Sequence, residues 1–388
     1  MTMSREATPR SPLKMPPTDW ALVIAVLMIL SFSIMMVTSA SIHMSANNPF
    51  FYLKKHLIAI TLGLAGGYLI LYIHTKVWQK VAIPLYIVGV ILIALVIVVG
   101  REVNGATRWI LIGGFNLQPS EFMKLFMVIY LSDYIVRRQK EVAISVWGFV
   151  KPMIMLLITA GLLMLQPDFG TTALIMMTAM GLLFLGGLPL VNFAILLGSA
   201  IVGGAVLIML EPYRVKRMLN FIDPWSDAQG AGYQLSQALI AFGRGEWFGV
   251  GLGNGIQKQF YLPEAHTDFI MAVIGEEFGL VGSLMLIFLF MLIVLRAFRI
   301  GAKAEAVGHK FSAFVAYGLG LGLGLQAFIN IGVNVGLLPT KGLTLPLMSY
   351  GSNSIIVGCF MIAFLLRIHY ETSQVKIKKK GKVTWLRM

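Results

Sequence analysis

Long apolar runs joined by short polar connections make up most of the chain between residues 20 and 367. A run of about 17–25 apolar residues has the length that a helix needs to cross a bilayer. The pattern therefore predicts an all-α, polytopic integral membrane protein with ten membrane helices. We place them at residues 20–40, 53–73, 81–99, 119–136, 152–166, 170–187, 189–210, 268–295, 311–335 and 345–367.

One connection, residues 211–267, is much longer than the others and is neither apolar nor of low complexity. Long ordered loops in compact proteins are usually functional. Its glycine-rich run at 243–255 follows no strand and has GxGxG spacing, which favours a turn-rich connection over a nucleotide-binding loop. The chain is thus predicted to have a tail at 1–19, a membrane domain at 20–368 that includes this loop, and a tail at 369–388.

The composition agrees with a membrane protein. Hydrophobic residues make up 57% of the chain and charged residues 12%, whereas soluble domains are about half apolar and about a quarter charged. The net charge of +14 is scattered over short connections, which favours membrane orientation over nucleic-acid binding. The single cysteine, Cys359, lies in an apolar run and excludes a disulfide within the chain.

Basic residues indicate the orientation. If the N-terminus is inside, the inner segments carry about twice as many lysines and arginines as the outer ones. The positive-inside rule then predicts that both termini are cytoplasmic and that residues 211–267 lie outside the cytoplasm.

Charged side chains near the apolar runs are functional candidates, because ionisable groups at membrane depth are costly. The candidates in the first half of the chain also have a structural explanation. Arg108, beside Trp109, suits an interfacial anchor, and Asp168 suits the cap of the next helix. Glu121 and Lys124 are spaced i, i+3 and can pair on one helix face.

Further cations gather in the predicted outer half. Arg214 and Arg217 follow the seventh predicted helix, and Lys341 lies in a short connection near Ser349 and Tyr350. The positive-inside rule does not explain cations on this side, and an arginine pair suits bidentate binding of phosphate. We expect a polyanionic substrate at the outer leaflet, such as a lipid pyrophosphate.

The stretch YLPEAHTDFIMAVIGEEFG at 261–279 concentrates carboxylates where the eighth predicted helix begins. Glu276 is about 12 Å along and about 80° around that helix from Asp268, and Glu277 is on the opposite face. Neither glutamate can therefore form an acid–base pair with Asp268, and we expect Glu276 or Glu277 to bond between helices. Asp268 itself either caps its helix, in competition with Thr267, or acts as a general base on a sugar hydroxyl.

A metal site has weaker support. Glu264, His266 and Asp268 offer oxygen and nitrogen ligands for a divalent metal ion within one short loop. Three residues in a single loop are a poor metal signature, so the sequence gives no certain cofactor.

Several motifs together resemble the SEDS family (shape, elongation, division and sporulation), most closely its cell-division branch. They are NGATRWI, QPSEFMK, QPDFGTT, PYRVKR, YLPEAHTDFI with GEEFG, and TKGLTLPLMSYG, and the resemblance covers about residues 20–368. It implies an inner-membrane peptidoglycan polymerase at the division septum that uses lipid II. It also implies a class B penicillin-binding protein (FtsI-like) and other divisome proteins as partners.

The resemblance also assigns residues. It implies that Asp268 is essential for polymerisation, and that the following positions match the other functional positions of the family: Arg108, Lys124, Asp168, Arg214, Arg217 and Lys341. One motif departs from the family, because SYGGSS is replaced here by SYGSNS with Ser352 and Asn353. Ser349 and Tyr350 are therefore secondary candidates, as are Glu121, Glu276 and Glu277.

Three functions follow as hypotheses. In the first, the chain is a glycosyltransferase in which Asp268 activates the acceptor hydroxyl. In the second, it is a flippase for lipid II, which would need polar groups through to the inner face, where the sequence shows few. In the third, it is a scaffold that recruits the septal transpeptidase.

Overall fold

The computed structural model describes residues 18–44, 48–103, 106–113, 115–210, 215, 218, 221–230, 232–339 and 342–385. Its helices are α1 (Trp20–Ser41), α2 (Phe51–Tyr72), α3 (Thr75–Lys80), α4 (Ala82–Val99), α5 (Pro119–Arg137), α6 (Gln139–Ile144), α7 (Val146–Leu165), α8 (Phe169–Leu185), α9 (Leu190–Met209), α10 (Tyr233–Gly245), α11 (Ile270–Ala306), α12 (Lys310–Asn334) and α13 (Ser352–Trp385). The polytopic all-α prediction is confirmed, and each apolar run predicted to span the membrane coincides with one of these helices.

Within the described residues, seven helices are long and apolar enough to cross a membrane, namely α1, α2, α4, α7, α11, α12 and α13. The helices α8 and α9 are apolar but shorter. The helix α5 buries charged side chains on its inner face.

Two features of the connections were not predicted. The connection after α4 forms a small antiparallel sheet of β1 (Arg101–Val103), β2 (Ala106–Ile112) and β3 (Phe115–Leu117), in the order β1-β2-β3. The long connection contains α10 and a short π-helical turn at Gln257–Tyr261. Both features lie at the end of the bundle where α11 begins, so they can enclose a site there.

Several helix boundaries differ from the prediction: α7 begins six residues earlier, at Val146, and α11 and α13 continue to Ala306 and Trp385. Two starts near the candidate site also differ. The last membrane helix begins at Ser352 instead of residue 345, because Pro346 lacks an N–H group and the Ser349 hydroxyl accepts a hydrogen bond from the Leu345 amide, which favours a turn. The eighth predicted helix begins at Ile270 instead of residue 268. Both shifts leave candidate site residues in irregular segments.

The helix α12 lies at the centre of the bundle and packs against α5, α8, α10, α11 and α13. Its alternating glycines permit close helix contacts. A Cβ atom at Gly318 would stand 2.6 Å from Val128 of α5, and one at Gly320 would stand 2.9 Å from Ala297 of α11. Polar groups on this central helix can therefore reach several neighbours at once.

The helix α11 is broken at Gly279, where φ is 65° and ψ is −158°. The break frees backbone groups, which must find partners inside a membrane protein. Residues 246–251 supply them: the amides of Leu280 and Val281 donate to the carbonyls of Glu246 and Trp247 at 2.9 and 3.1 Å. The long connection is thereby bound to the helix that follows Asp268.

Candidate functional site

Asp268 lies half-buried in the irregular segment just before α11. The N-cap position of α11 is Phe269, so the alternative that Asp268 or Thr267 occupies the cap is wrong. A Cβ atom added to Gly342 would stand 3.2 Å from Asp268 Oδ2. The carboxylate therefore lies against the segment that leads from α12 to α13.

Three amide side chains on α12 hold this region together. Gln326, Asn330 and Asn334, which we name the amide stripe, are spaced i, i+4, i+8 and are buried. The Nδ2 groups of Asn330 and Asn334 both donate to the Asp268 carbonyl at 2.9 Å. Asn330 also donates to the Leu343 carbonyl at 2.6 Å, and Asn334 accepts from the Ala272 amide at 3.1 Å.

The other end of the amide stripe contacts Lys124. The Lys124 ammonium lies 2.7 Å from Glu121 and donates to Gln326 Oε1 at 2.9 Å. Gln326 in turn donates to the Thr344 carbonyl at 2.9 Å. Lys124 also lines a small cavity among apolar side chains of α5, α8 and α12. Lys124 and Asp268 therefore belong to one hydrogen-bonded unit, joined through α12 and residues 343–344.

Asp168 and Arg108 meet at the turn between α7 and α8. Asp168 caps α8 by accepting from the Thr171 amide at 3.3 Å, and Ser120 donates to its other oxygen at 3.4 Å. The Arg108 guanidinium donates to the carbonyls of Gln166 and Pro167. Both side chains therefore stabilise the turn between α7 and α8, which lies beside Ser120 at the N-terminal end of α5.

The segment before Asp268 docks on the segment before α13. The Tyr350 amide donates to the His266 carbonyl at 2.9 Å. The rings of Tyr52, His266 and Tyr350 pack together with centroids 4.9 to 5.3 Å apart. Burial lowers the pKa of His266, with a smaller opposing effect from Glu264, so the neutral ring is favoured in this contact.

The proposed metal ligands do not converge. His266 packs against aromatic rings, and Glu264 bonds with the Thr267 hydroxyl at 2.6 Å. Across the part of the chain that the structure describes, no group of three or more His, Cys, Asp or Glu side chains is arranged to hold a metal ion.

Glu276 and Glu277 are fully buried and anchor the long connection. Glu276 pairs with Arg244 at 2.8 Å and accepts from the Ile256 amide at 2.9 Å. Glu277 pairs with Lys258 at 2.5 Å and accepts from the Ser39 hydroxyl of α1 at 2.8 Å. Both glutamates thus bond between elements, away from Asp268.

Three proposed cationic residues, Arg214, Arg217 and Lys341, lie outside the described residues. In the SYGSNS motif, Ser349 accepts from the Leu345 amide, and Asn353 donates to the Asn116 carbonyl of β3 at 2.7 Å. The departure from the family motif therefore adds a bond between α13 and the sheet.

The opposite end of the bundle is more polar than the sequence indicated. Buried carboxylates pair there with arginines: Asp19 with Arg296 at 2.6 Å, and Asp133 with Arg137 at 2.6 Å. Glu371 likewise pairs with a neighbouring arginine on α13. These buried ion pairs add polar groups at the helix ends opposite Asp268, where the sequence was expected to place few.

The amide stripe was missed by sequence reasoning. Its signal is an amide side chain at every fourth residue of a largely apolar helix. This spacing places the three amides on one face.

Comparison with known proteins identifies the relatives of the chain. The family model of FtsW, RodA and SpoVE, described as cell cycle proteins, matches residues 20–374. The probable peptidoglycan glycosyltransferase FtsW of Allochromatium vinosum is 50% identical over 94% of this chain and 93% of its own. That of Pseudomonas fluorescens is 49% identical over 91% and 88%.

Solved structures give the same result. A chain from a peptidoglycan synthase complex, solved to explain the coordination of polymerization and crosslinking, aligns with a TM-score of 0.76 and 29% identity over 92% of this chain and 99% of its own. The rod shape determining protein RodA of Thermus thermophilus aligns with a TM-score of 0.68 and 29% identity over 92% and 97%.

Proposed function

The chain belongs to the family of FtsW, RodA and SpoVE cell cycle proteins, and we propose that it is a peptidoglycan glycosyltransferase that polymerises lipid II with Asp268 as general base. The activity is supported by FtsW relatives at about half identity over nearly the whole chain, all named as probable peptidoglycan glycosyltransferases. The role of Asp268 is supported by one observation above all: its half-buried carboxylate lies at the start of α11 against residue 342, in the same network as Lys124.

The proposed reaction is a direct displacement. Asp268 accepts the proton of the GlcNAc 4-hydroxyl of an acceptor lipid II. The oxygen forms a bond to the anomeric carbon of the growing chain, and the bond from that carbon to the lipid pyrophosphate breaks. The pyrophosphate leaves with the electron pair, and the anomeric configuration inverts. General base catalysis of this kind contributes about 10²–10⁴-fold to a rate.

Cations are needed where negative charge develops on the leaving group. We assign this role to Arg214, Arg217 and Lys341, of which Lys341 directly precedes Gly342 in the sequence. Lys124 is buried and paired with Glu121, so it can contact pyrophosphate only by exchanging that partner. Arg108 and Asp168 are assigned to substrate binding through the turn that they stabilise.

The partner, orientation and location are also part of the proposal. The likeness to a chain of a peptidoglycan synthase complex supports a class B penicillin-binding protein as the crosslinking partner. Identity to FtsW relatives supports the division septum and other divisome proteins. The distribution of basic residues supports cytoplasmic termini, with Asp268 at the outer face.

A lipid II flippase is the second candidate. The buried ion pairs at the end of the bundle opposite Asp268 favour it more than the sequence did, because a translocation path needs polar groups at both faces. The three carboxylates named there each pair with an arginine of the same chain, however, as expected for structural ion pairs.

One experiment separates these functions. The full chain and its class B partner are placed in proteoliposomes with lipid II, and both glycan polymer and lipid II translocation are measured. The variants are Asp268→Ala, Asp268→Asn and the control Asp223→Asn, an exposed carboxylate in the long connection.

We expect both Asp268 variants to lose polymer while the control keeps it. Normal polymer from Asp268→Ala would overturn the role of Asp268. Translocation by the wild type that persists in Asp268→Ala would favour the flippase. A variant that makes no polymer but still binds the partner would separate catalysis from scaffolding.

A further inference from the structure

The amide stripe of α12 links Asp268, the base of the proposed reaction, with the buried Lys124. We propose that Gln326, Asn330 and Asn334 are positioning residues, which fix the Asp268 carboxylate relative to residues 342–344 and to Lys124. This inference rests on the proposed function and names the residues that give its site a fixed geometry.

The first argument is that the two segments at the site have no regular structure of their own. Asp268 precedes the first residue of α11, and residues 342–350, between α12 and α13, form neither helix nor strand. Segments of this kind are more mobile than the helices that they connect. A base that must lie within hydrogen-bond reach of a hydroxyl needs a more rigid support.

The second argument is that the amide stripe supplies this support from a single rigid helix. Asn330 donates one amide hydrogen to the Asp268 carbonyl and one to the Leu343 carbonyl. One side chain therefore fixes the backbone that carries the carboxylate and the backbone that lies against it. Gln326 likewise fixes the backbone of Thr344, because it donates to the Thr344 carbonyl and accepts from the Lys124 ammonium.

The third argument is burial. Asn330 is 2% exposed and Asn334 is 0% exposed, so water cannot replace their hydrogen bonds without a local opening. Buried polar side chains that are fully satisfied make a region rigid and specify one arrangement. At four residues per step, the three amides span about 12 Å of α12. The separation of Lys124 and Asp268 is thus set along one helix axis.

The test measures lipid II polymerisation by the full chain in complex with its class B partner. Asn330→Leu keeps the branched shape of the side chain and removes both donated hydrogen bonds. A displacement of about 1 Å at a reacting group can cost about 10²-fold in rate. We expect kcat to fall by about that factor while the KM for lipid II and the affinity for the partner stay within about twofold of the wild type.

The matched control is Ser312→Ala. Ser312 is a buried residue on the same helix whose hydroxyl bonds to Thr75 at the opposite end of the bundle. Ser312→Ala should keep the wild-type kcat. An equal fall in kcat in Ser312→Ala and Asn330→Leu, or a normal kcat in Asn330→Leu, would overturn the inference.

Two further variants make the result decisive. Asn334→Leu removes one of the two donors to the Asp268 carbonyl and should lower kcat by about tenfold; it decides the question if Asn330→Leu does not fold. Asp268→Asn tests the proposed function separately. If Asp268→Asn polymerises normally, the general base is wrong; if it is inactive while both leucine variants are normal, only the positioning role is wrong.

Discussion

Breaking the buried pair of Lys258 and Glu277 should destabilise the end of the bundle where α11 begins more than most single substitutions do. The Lys258 ammonium lies 2.5 Å from Glu277, and their side chains are 1% and 0% exposed. The Ser39 hydroxyl of α1 bonds to both charged groups. The pair thereby joins the long connection, α11 and α1 at one point. The perturbation that we consider is Lys258→Met, which keeps the aliphatic stem and removes the charge.

The magnitude follows from what is left behind. Removing one partner of a buried ion pair leaves the other charge uncompensated and costs about 3–5 kcal/mol. Ser39 continues to donate to Glu277, so we expect a value near the lower limit, about 3 kcal/mol. Replacing both partners, as in Lys258→Met with Glu277→Leu, leaves no buried charge. The double variant should therefore be more stable than either single variant.

The assay is a double-mutant cycle on the free energy of unfolding, measured by denaturant in detergent. The control is Arg138→Met, because Arg138 pairs with Glu141 while both are substantially exposed, and such pairs contribute about 0–1 kcal/mol. An unchanged unfolding midpoint for Lys258→Met would refute the reasoning. A double variant whose loss equals the sum of the single losses would also refute it.

Three other perturbations follow from single features of the structure. Gly279→Ala places a side chain at a φ of 65° and should destabilise the chain by about 1–3 kcal/mol. Gly161→Ala, in a helix with open space around that position, should instead stabilise the chain by about 1 kcal/mol. Unfolding midpoints check both variants. Because burial lowers the pKa of His266, its contribution to stability is complete above the ordinary value of 6.5 and is lost as pH falls below it. The melting temperature of the wild type should then fall more between pH 7.5 and 5.5 than that of His266→Phe, and equal falls would contradict this cause. Asp168→Ala should lose the cap of α8 and lower the free energy of unfolding by about 0.5–2 kcal/mol, while Asp168→Asn should keep the wild-type stability. If Asp168→Asn nevertheless loses polymerisation, the charge of Asp168 has a role in substrate binding.

The sequence predicted the helices well because the length of an apolar run is set by the bilayer and can be read locally. The pairing of Glu121 with Lys124 could be predicted as an alternative, because an i, i+3 spacing on a helix is also a local property. Helix ends near Pro346 and Asp268 were less accurate, because a turn at these points depends on side-chain bonds such as that of Ser349 to the Leu345 amide.

The arrangement of the site was harder to predict because it depends on contacts between distant parts of the chain. The sequence showed that Asp268 has no close acid–base partner on its own helix, but not that Asn330 and Asn334 would bond its carbonyl from α12. Nor did it show which cation would pair with Glu277, because Lys258 lies nineteen residues away across an irregular loop. Long-range packing decides both, and helical spacing alone carries no information about it.

The role of Asp268 is tested most directly by the rate at which the Asp268→Asn complex polymerises lipid II. Asparagine keeps the size of the side chain and the bonds of its backbone carbonyl to α12, and it removes the negative charge and with it the ability to accept the proton. The account predicts a kcat lower than that of the wild type by about 10²–10⁴-fold, with unchanged thermal stability. A kcat within a few-fold of the wild type would contradict it.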